Sequence, residues 1–310
     1  RQSLGSMKIG FLGAGAIGGY FGGTLSQASH EVGYVARGKT LEALRSGLTL
    51  IDASDNETFI PSPPAAETFA ELIEQLGGLD VAIIATKALP GNDTFGPDPE
   101  SLTGIPVVTT HNSVEIPYLA AAHFGEENVL AGVARVFATR LGPAKIKRNP
   151  GPLSLAFGPM AGSIPVGQQL AAALNEAGAR GKYHAEPLVD VWAKAMFVTT
   201  TGTLGALVDR PIGYLIDEIP GQLEAFMREV ETVARALEVA LPNNVVEQTM
   251  GFAREQYPQA TTSMQRDIKD RLPNELDAQV GAIRRMGQRA GVATPLFDFA
   301  QDVLEAQLRN

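Results

Sequence analysis

Three groups of residues in this chain of 310 have the type and spacing to do chemistry. The first is Gly13-Ala14-Gly15-Ala16-Ile17-Gly18, which follows the apolar run at 9–12 and opens a small-residue segment that can be helical from about 16 to 28. Strand, glycine turn and helix in that order suit a dinucleotide pyrophosphate. Gly13 permits the tight turn, Gly15 lets the backbone come close to phosphate oxygens, and Gly18 lets helix and strand pack closely. The unpaired N–H groups of the new helix then face the anion. With 33 glycines in the chain such spacing arises by chance, so the strand–turn–helix setting carries the signal.

The second group is Arg37, with Lys39 close by, at the end of residues 31–36 (EVGYVA), which read as the second parallel strand. A site for NAD usually ends this strand with Asp or Glu, to bind the ribose 2′-hydroxyl. A guanidinium stands there instead and can grip a 2′-phosphate with paired charge-assisted bonds. The expected cofactor is therefore NADPH/NADP. The third group is a single residue, Lys194, within the almost wholly apolar stretch 189–198 (VDVWAKAMFV). Partial burial lowers a lysine pKa and makes its proton easier to give up. Against that, Asp190 lies four residues earlier and could hold Lys194 in an ordinary exposed pair.

The elements that must position these residues follow from pattern. Short strands are expected at 48–51 and 57–60, a helix at 67–76, and buried parallel strands at 80–86, ending at Lys87, and 105–110, ending at His111-Asn112-Ser113. The carboxyl ends of such strands are where ligands of open α/β sheets collect. A longer strand is expected at 129–139, two more at 144–147 and 153–157, a helix at 166–177 and a strand at 181–184. Beyond Glu186 the period becomes helical. Leu223, Phe226, Met227, Val230, Val233, Ala234 and Leu237 form one stripe before Pro242. Further helices are expected at 187–207, 244–256, 263–271, 273–290 and 296–309, with Pro273 in the first turn of its helix. The fold class is α/β. A Rossmann-like dinucleotide-binding domain over 7–185 precedes an all-α substrate and catalytic domain over 186–310, the usual plan of a reductase whose substrate binds between the two.

Composition bounds the rest. A net charge of −9 without a basic run argues against nucleic acid as a partner. No stretch reads as the ~20 apolar residues of a membrane span, and no histidine spacing suggests a metal. Residues 1–6 (RQSLGS) read as a short tail or expression remnant rather than a signal peptide. The absence of cysteine suits a cytoplasmic location.

The chain resembles the ketopantoate reductase (2-dehydropantoate 2-reductase) family from Met7 to about Leu308. The resemblance rests on the GAGAIG turn, Val35-Ala36-Arg37, Thr86-Lys87-Ala88, His111-Asn112, Trp192-Ala193-Lys194, the block from Thr262 to Asp267, and Asn274-Glu275-Leu276-Asp277. It implies an NADPH-dependent oxidoreductase that reduces a 2-oxo acid, by family 2-dehydropantoate to pantoate in pantothenate biosynthesis. It further implies that Lys194 binds the 2-oxo group and acts as general acid, with Glu275 near it and near the nicotinamide ribose. Gly13 to Gly18 (Ala14, Ala16 and Ile17 included) would cradle the pyrophosphate, and Arg37 the 2′-phosphate. Lys87, Asn112 and the backbone at Ala138 would line the remaining cofactor groove. Asn112 would also reach the substrate, and Ser263, otherwise a helix N-cap, would bind its carboxylate or hydroxyl. Val198, Gly202 and Ile212 stand where the family usually has asparagines, and Ser113 where glycine is common. Those departures put the substrate in doubt and favour a more apolar 2-oxo acid. A non-catalytic NADP-binding sensor is the alternative, and a homodimer is left open.

Overall fold

The computed structural model describes residues 5–310, so the first four residues of the N-terminal tail lie outside the described residues. The chain divides into two compact units. The first holds the residues before Ala88, Asp93–His111 and Pro117–Pro187. The second holds Ala88–Asn92, Asn112–Ile116 and Leu188–Asn310.

The first unit runs β1 (Lys8–Leu12), α1 (Ala16–Gln27), β2 (Glu31–Val35), α2 (Gly38–Ser46), β3 (Gly47–Ile51), β4 (Glu57–Pro61), β5 (Ala65–Ala66), α3 (Phe69–Leu76), β6 (Val81–Ile84), β7 (Val107–Thr109), α4 (Ile116–Phe124), β8 (Val129–Gly142), β9 (Lys145–Pro159), α5 (Pro165–Glu176) and β10 (Arg180–Tyr183). The strands form one sheet in the order β4-β3-β9-β8-β7-β6-β1-β2-β5, with β10 beside β9. From β5 to β8 every pairing is parallel, whereas β8/β9 and β3/β4 are antiparallel. The central strands are apolar because both of their faces are covered. Side chains alternate across the sheet: Ile9, Phe11, Ile83 and Val108 join the core that includes Phe21 and Leu25 of α1. Leu12, Ala82, Ile84 and Val107 join the opposite core, with Phe69 and Leu72 of α3.

Residues 144–147 and 153–157 are not two strands but parts of the single strand β9. Pro150-Gly151-Pro152 lies between the two expected segments. Its ladder with β8 carries register shifts at Val136/Ala138 and Arg140/Gly142, and residues 149–152 have no ladder partner. Irregularities of this kind let prolines lie in a strand without forfeiting ladder bonds.

The second unit is helical: α6 (Pro187–Val208), α7 (Ile212–Asp217), α8 (Pro220–Ala236), α9 (Val245–Arg254), α10 (Ser263–Lys269), α11 (Ala282–Ala290) and α12 (Pro295–Arg309). The six stripe residues of α8 from Leu223 to Ala234 are all buried. Its Glu229 accepts the N–H groups of Leu296 and Phe297 at 3.1 Å each, capping α12 from a distance. By length and composition α6 could cross a membrane, yet 61% of its apolar window is buried inside the protein, which suits a core helix. The helix expected from Pro273 starts only at Leu276, whose N–H is taken by Asn274 Oδ1 at 3.0 Å. Its first turn, Asp277–Gly281, is π-helical.

Within the first unit α1 closely approaches the turn beneath it, because a Cβ on Gly18 would overlap the carbonyl oxygen of Gly13. Gly18→Ala should lower unfolding stability by about 1–3 kcal/mol, read from the denaturant midpoint. An unchanged midpoint would show that the turn can open to admit the methyl group.

Candidate functional site

The residues picked out by the sequence fall into two groups, one in each unit. In the first unit the chain leaves β1 at Gly13, whose φ of +93° favours glycine and whose N–H donates to the Val35 carbonyl at 2.9 Å. Gly15 is the N-cap of α1. No side chain caps that end, and its first turn holds no acidic residue. A Cβ on Gly15 would meet nothing within 4 Å. Helix N–H groups without a side-chain cap, beside open space, fit a diphosphate.

One strand over, exposed Arg37 is the N-cap of α2, whose first turn also lacks acidic residues and side-chain caps. Among the described residues the Arg37 side chain has no hydrogen bond or ion pair. Arg140, near the end of β8, reaches α2 through Thr40 Oγ1 at 3.4 Å, which adds positive charge on the same side. Lys87 is exposed three residues beyond the end of β6, and Ala138 is half-buried at the register shift of β8.

Two polar side chains at this edge escaped the sequence reading of roles. Thr86 packs against the glycine turn, its Cγ2 lying 2.8 Å from where a Gly13 Cβ would be. His111 extends β7 as Thr86 extends β6, in the register Ile84↔Thr109. The hydroxyl of Thr86 and both ring nitrogens of His111 are shielded from solvent, and the His111 ring lies against the Thr86 backbone. Burial pushes the His111 imidazole down from 6.5 to about 4, against a smaller opposing effect of the Thr86 backbone.

In the second unit, half-buried Lys194 shares a face of α6 with Val198 and Gly202, at four-residue intervals. A Cβ on Gly202 would come within 2.6 Å of Thr262 Oγ1 and 3.3 Å of Met264 Cε. The space that an amide at position 202 would need is therefore already filled. Ser263 is exposed and is the first residue of α10. The capping role read for it belongs to Thr262, whose hydroxyl accepts the Gln265 N–H at 3.1 Å. Ile212 is buried at the start of α7.

Glu275 is only 9% exposed, and its carboxylate accepts the Ala88 N–H at 3.2 Å. It sits just before the π turn rather than inside a helix. Half-buried Asn112 opens the Asn112–Ile116 segment. That segment is tied to α11 by Glu115, whose carboxylate takes both of its bonds from Arg285 Nε, at 2.9 and 3.1 Å. Arg285 also binds the Asp277 carboxylate at 2.9 Å and its carbonyl at 3.1 Å. Partial burial opposes the Arg285 charge, but its bonds to Glu115 and Asp277 outweigh this and hold its pKa above the ordinary arginine value. Long-range pairs of this kind leave no mark in sequence spacing, since Glu115 and Arg285 are 170 residues apart.

A parallel sheet with a glycine turn at its carboxyl edge, followed by a helical unit that holds a buried carboxylate and a half-buried lysine, suits an oxidoreductase using a nicotinamide dinucleotide, the class that the family match supports. More narrowly, the chain belongs to the ketopantoate reductase PanE/ApbA family, whose N-terminal profile matches residues 9–162 and C-terminal profile residues 188–307. It is 28% identical to the 2-dehydropantoate 2-reductase of Mesorhizobium japonicum over 319 aligned positions, covering 94% of this chain and 95% of that one. The crystal structure of 2-dehydropantoate 2-reductase from Methylococcus capsulatus superposes with a TM-score of 0.88 at 25% identity, covering 98% of both chains. A D-mandelate dehydrogenase solved with NADH and anilino(oxo)acetate has the same fold, with a TM-score of 0.82 at 23% identity over 98% and 99% of the two chains.

The buried, neutral His111 gives stability a defined pH dependence. Between pH 6.5 and about 4 the unfolded chain takes up a proton at this position and the folded chain does not. Stability is therefore lost as pH falls, by up to roughly 3 kcal/mol. Denaturant titrations of wild type and His111→Phe should diverge across this range, with the variant losing less; parallel curves would show that the folded protein protonates His111 freely.

Proposed function

We propose that this protein is an NADPH-dependent reductase of 2-oxo acids, with 2-dehydropantoate as the substrate its family suggests. The observation that carries this reading is the open, uncapped start of α1 at Gly15, a cradle for a dinucleotide diphosphate. Arg37 and the start of α2 would hold the 2′-phosphate, with Arg140 adding charge nearby, and this favours NADPH over NADH. Lys87, Asn112 and the backbone at Ala138 would line the rest of the cofactor groove. The bound cofactor would supply a hydride from its nicotinamide ring.

The chain's own part is then to handle charge and protons. Lys194, carried on a helix that is apolar nearly all round, would donate its ammonium proton to the substrate's 2-oxo oxygen. Before that transfer its charge would stabilise the developing alkoxide, the larger electrostatic share of such catalysis. Glu275, fixed by the Ala88 N–H, would orient the ammonium and bind the nicotinamide ribose. Asn112 and Ser263 would bind the polar end of the substrate.

A second substrate reading has its own support. Val198 offers no amide, and the place of one at position 202 is filled by Thr262 and Met264. Each hydrogen bond missing from a buried site costs about 1–3 kcal/mol, so a pocket with this lining suits a 2-oxo acid with an apolar side chain.

The test is NADPH oxidation with a panel running from 2-dehydropantoate to 2-oxoisovalerate and phenylglyoxylate. Turnover should appear with at least one member and fall by about 10²–10⁴-fold in Lys194→Ala. Arg37→Ala should weaken NADPH while leaving NADH unchanged. Tight NADPH binding with no reduction of any 2-oxo acid would favour a sensor over an enzyme.

A further inference from the structure

The open part of α6 is small. From Val191 to Gly205 every position is buried except Ala193, Lys194, Phe197 and Val198, which are half-buried. These four adjoin one another, because residues three and four apart share a helix face. The lysine therefore lies in a patch whose other members are apolar, and Phe197 stands only about 4.5 Å further along the helix axis.

Helix α9 widens that patch. Its buried residues include Val245, Thr249 and Ala253, and Thr249 Oγ1 docks it on α6 at 3.4 Å from Met196 Sδ. One turn on, Phe252 meets Phe197 edge-to-face, with ring centroids 4.8 Å apart and planes at 77°. Phe252 falls outside the buried stripe of α9 and is 50% exposed. Its orientation is thus fixed by Phe197 while half of its surface stays open. Two rings at this angle form a corner in which a third ring can pack with both stacked and edge contacts.

We propose that Phe197 and Phe252 determine specificity by holding the side chain of the substrate, and that the substrate class is aryl-bearing 2-oxo acids. The two ends of such a molecule match the two parts of the patch. Its 2-oxo oxygen, which gains negative charge on reduction, suits the Lys194 ammonium, and its ring suits the aromatic corner. A hydroxylated aliphatic chain would instead lose water against Val198 and two phenyl rings without gaining a hydrogen bond.

The inference rests on the reductase reading above, and the experiment separates the two. Steady-state kinetics with NADPH compare two aryl acids, phenylglyoxylate and phenylpyruvate, with two aliphatic ones, 2-oxoisovalerate and 2-dehydropantoate. The readout is the ratio of kcat/KM for the better aryl acid to that for the better aliphatic acid. It should exceed about ten in wild type and fall about tenfold in Phe252→Leu and in Phe197→Leu, chiefly through the KM of the aryl acid. Phe252→Trp, which keeps a ring there, should retain the preference. Wild type that reduces aliphatic acids as well as or better than aryl ones, or a ratio unaltered in Phe252→Leu, overturns the assignment and leaves the reductase reading standing. Wild type that reduces none of the four overturns that reading and this inference with it.

Discussion

The carbonyl oxygen of Gly13 lies against the backbone of Gly18, leaving no room for a β-carbon. That contact sets how α1 leaves β1, and with it the direction of the free N–H groups at the helix start. Everything at the carboxyl edge of the sheet is arranged around it. Gly13 is tied back to β2 by its N–H, Thr86 closes on the turn from the β6 side, and Gly15 alone is left facing open space. A helix terminus exposes a partial positive charge whatever its sequence. At α1 no aspartate, serine or threonine side chain neutralises it.

The helical unit solves a different problem, that of keeping charges inside an apolar body. Three buried or half-buried carboxylates each have a fixed polar anchor. Glu275 has the Ala88 amide, Glu229 the first amides of α12, and Glu115 the guanidinium of Arg285. The Glu229 carboxylate nonetheless has its pKa raised, because desolvation outweighs those two bonds. Through Glu275 and Glu115 the 275–285 segment holds both short pieces, Ala88–Asn92 and Asn112–Ile116, that this unit takes from the N-terminal half of the chain. The π turn between them places Asp277 where it can serve Arg285 with both its carboxylate and its carbonyl.

Much of this was legible in the residues. The strand–turn–helix at the start, the continuous apolar runs of β6 and β7, and the stripe of α8 follow from periodicity, because burial on one or both faces leaves a pattern. What stayed hidden has physical reasons. The helices α2, α4 and α7, of 9, 9 and 6 residues, are too short for a period to stand out. Strand β9 survives its prolines because irregular pairing with β8 excuses them. The capping hydroxyl is that of Thr262 rather than Ser263, a one-residue difference of the kind that pattern cannot resolve. Lys194 stood out from its apolar stretch, whereas Glu275 was found through family resemblance, since a lone glutamate has no spacing to betray it. Thr86 and His111 gave no signal of their own, because the burial of a hydroxyl or imidazole is visible only once its neighbours are placed.

The central claim is that a nicotinamide cofactor and the lysine of α6 act on one carbonyl group, the hydride going to its carbon and the proton to its oxygen. It is tested most directly by following the transferred hydrogen. Purified protein is incubated with NADPH deuterated at nicotinamide C4 and a panel of 2-oxo acids, and the products are examined by mass spectrometry. The account predicts a 2-hydroxy acid carrying one deuterium at C2, and its loss in Lys194→Ala with NADPH still bound. A protein that binds NADPH yet leaves every 2-oxo acid unlabelled, or one that labels product equally well without Lys194, would contradict it.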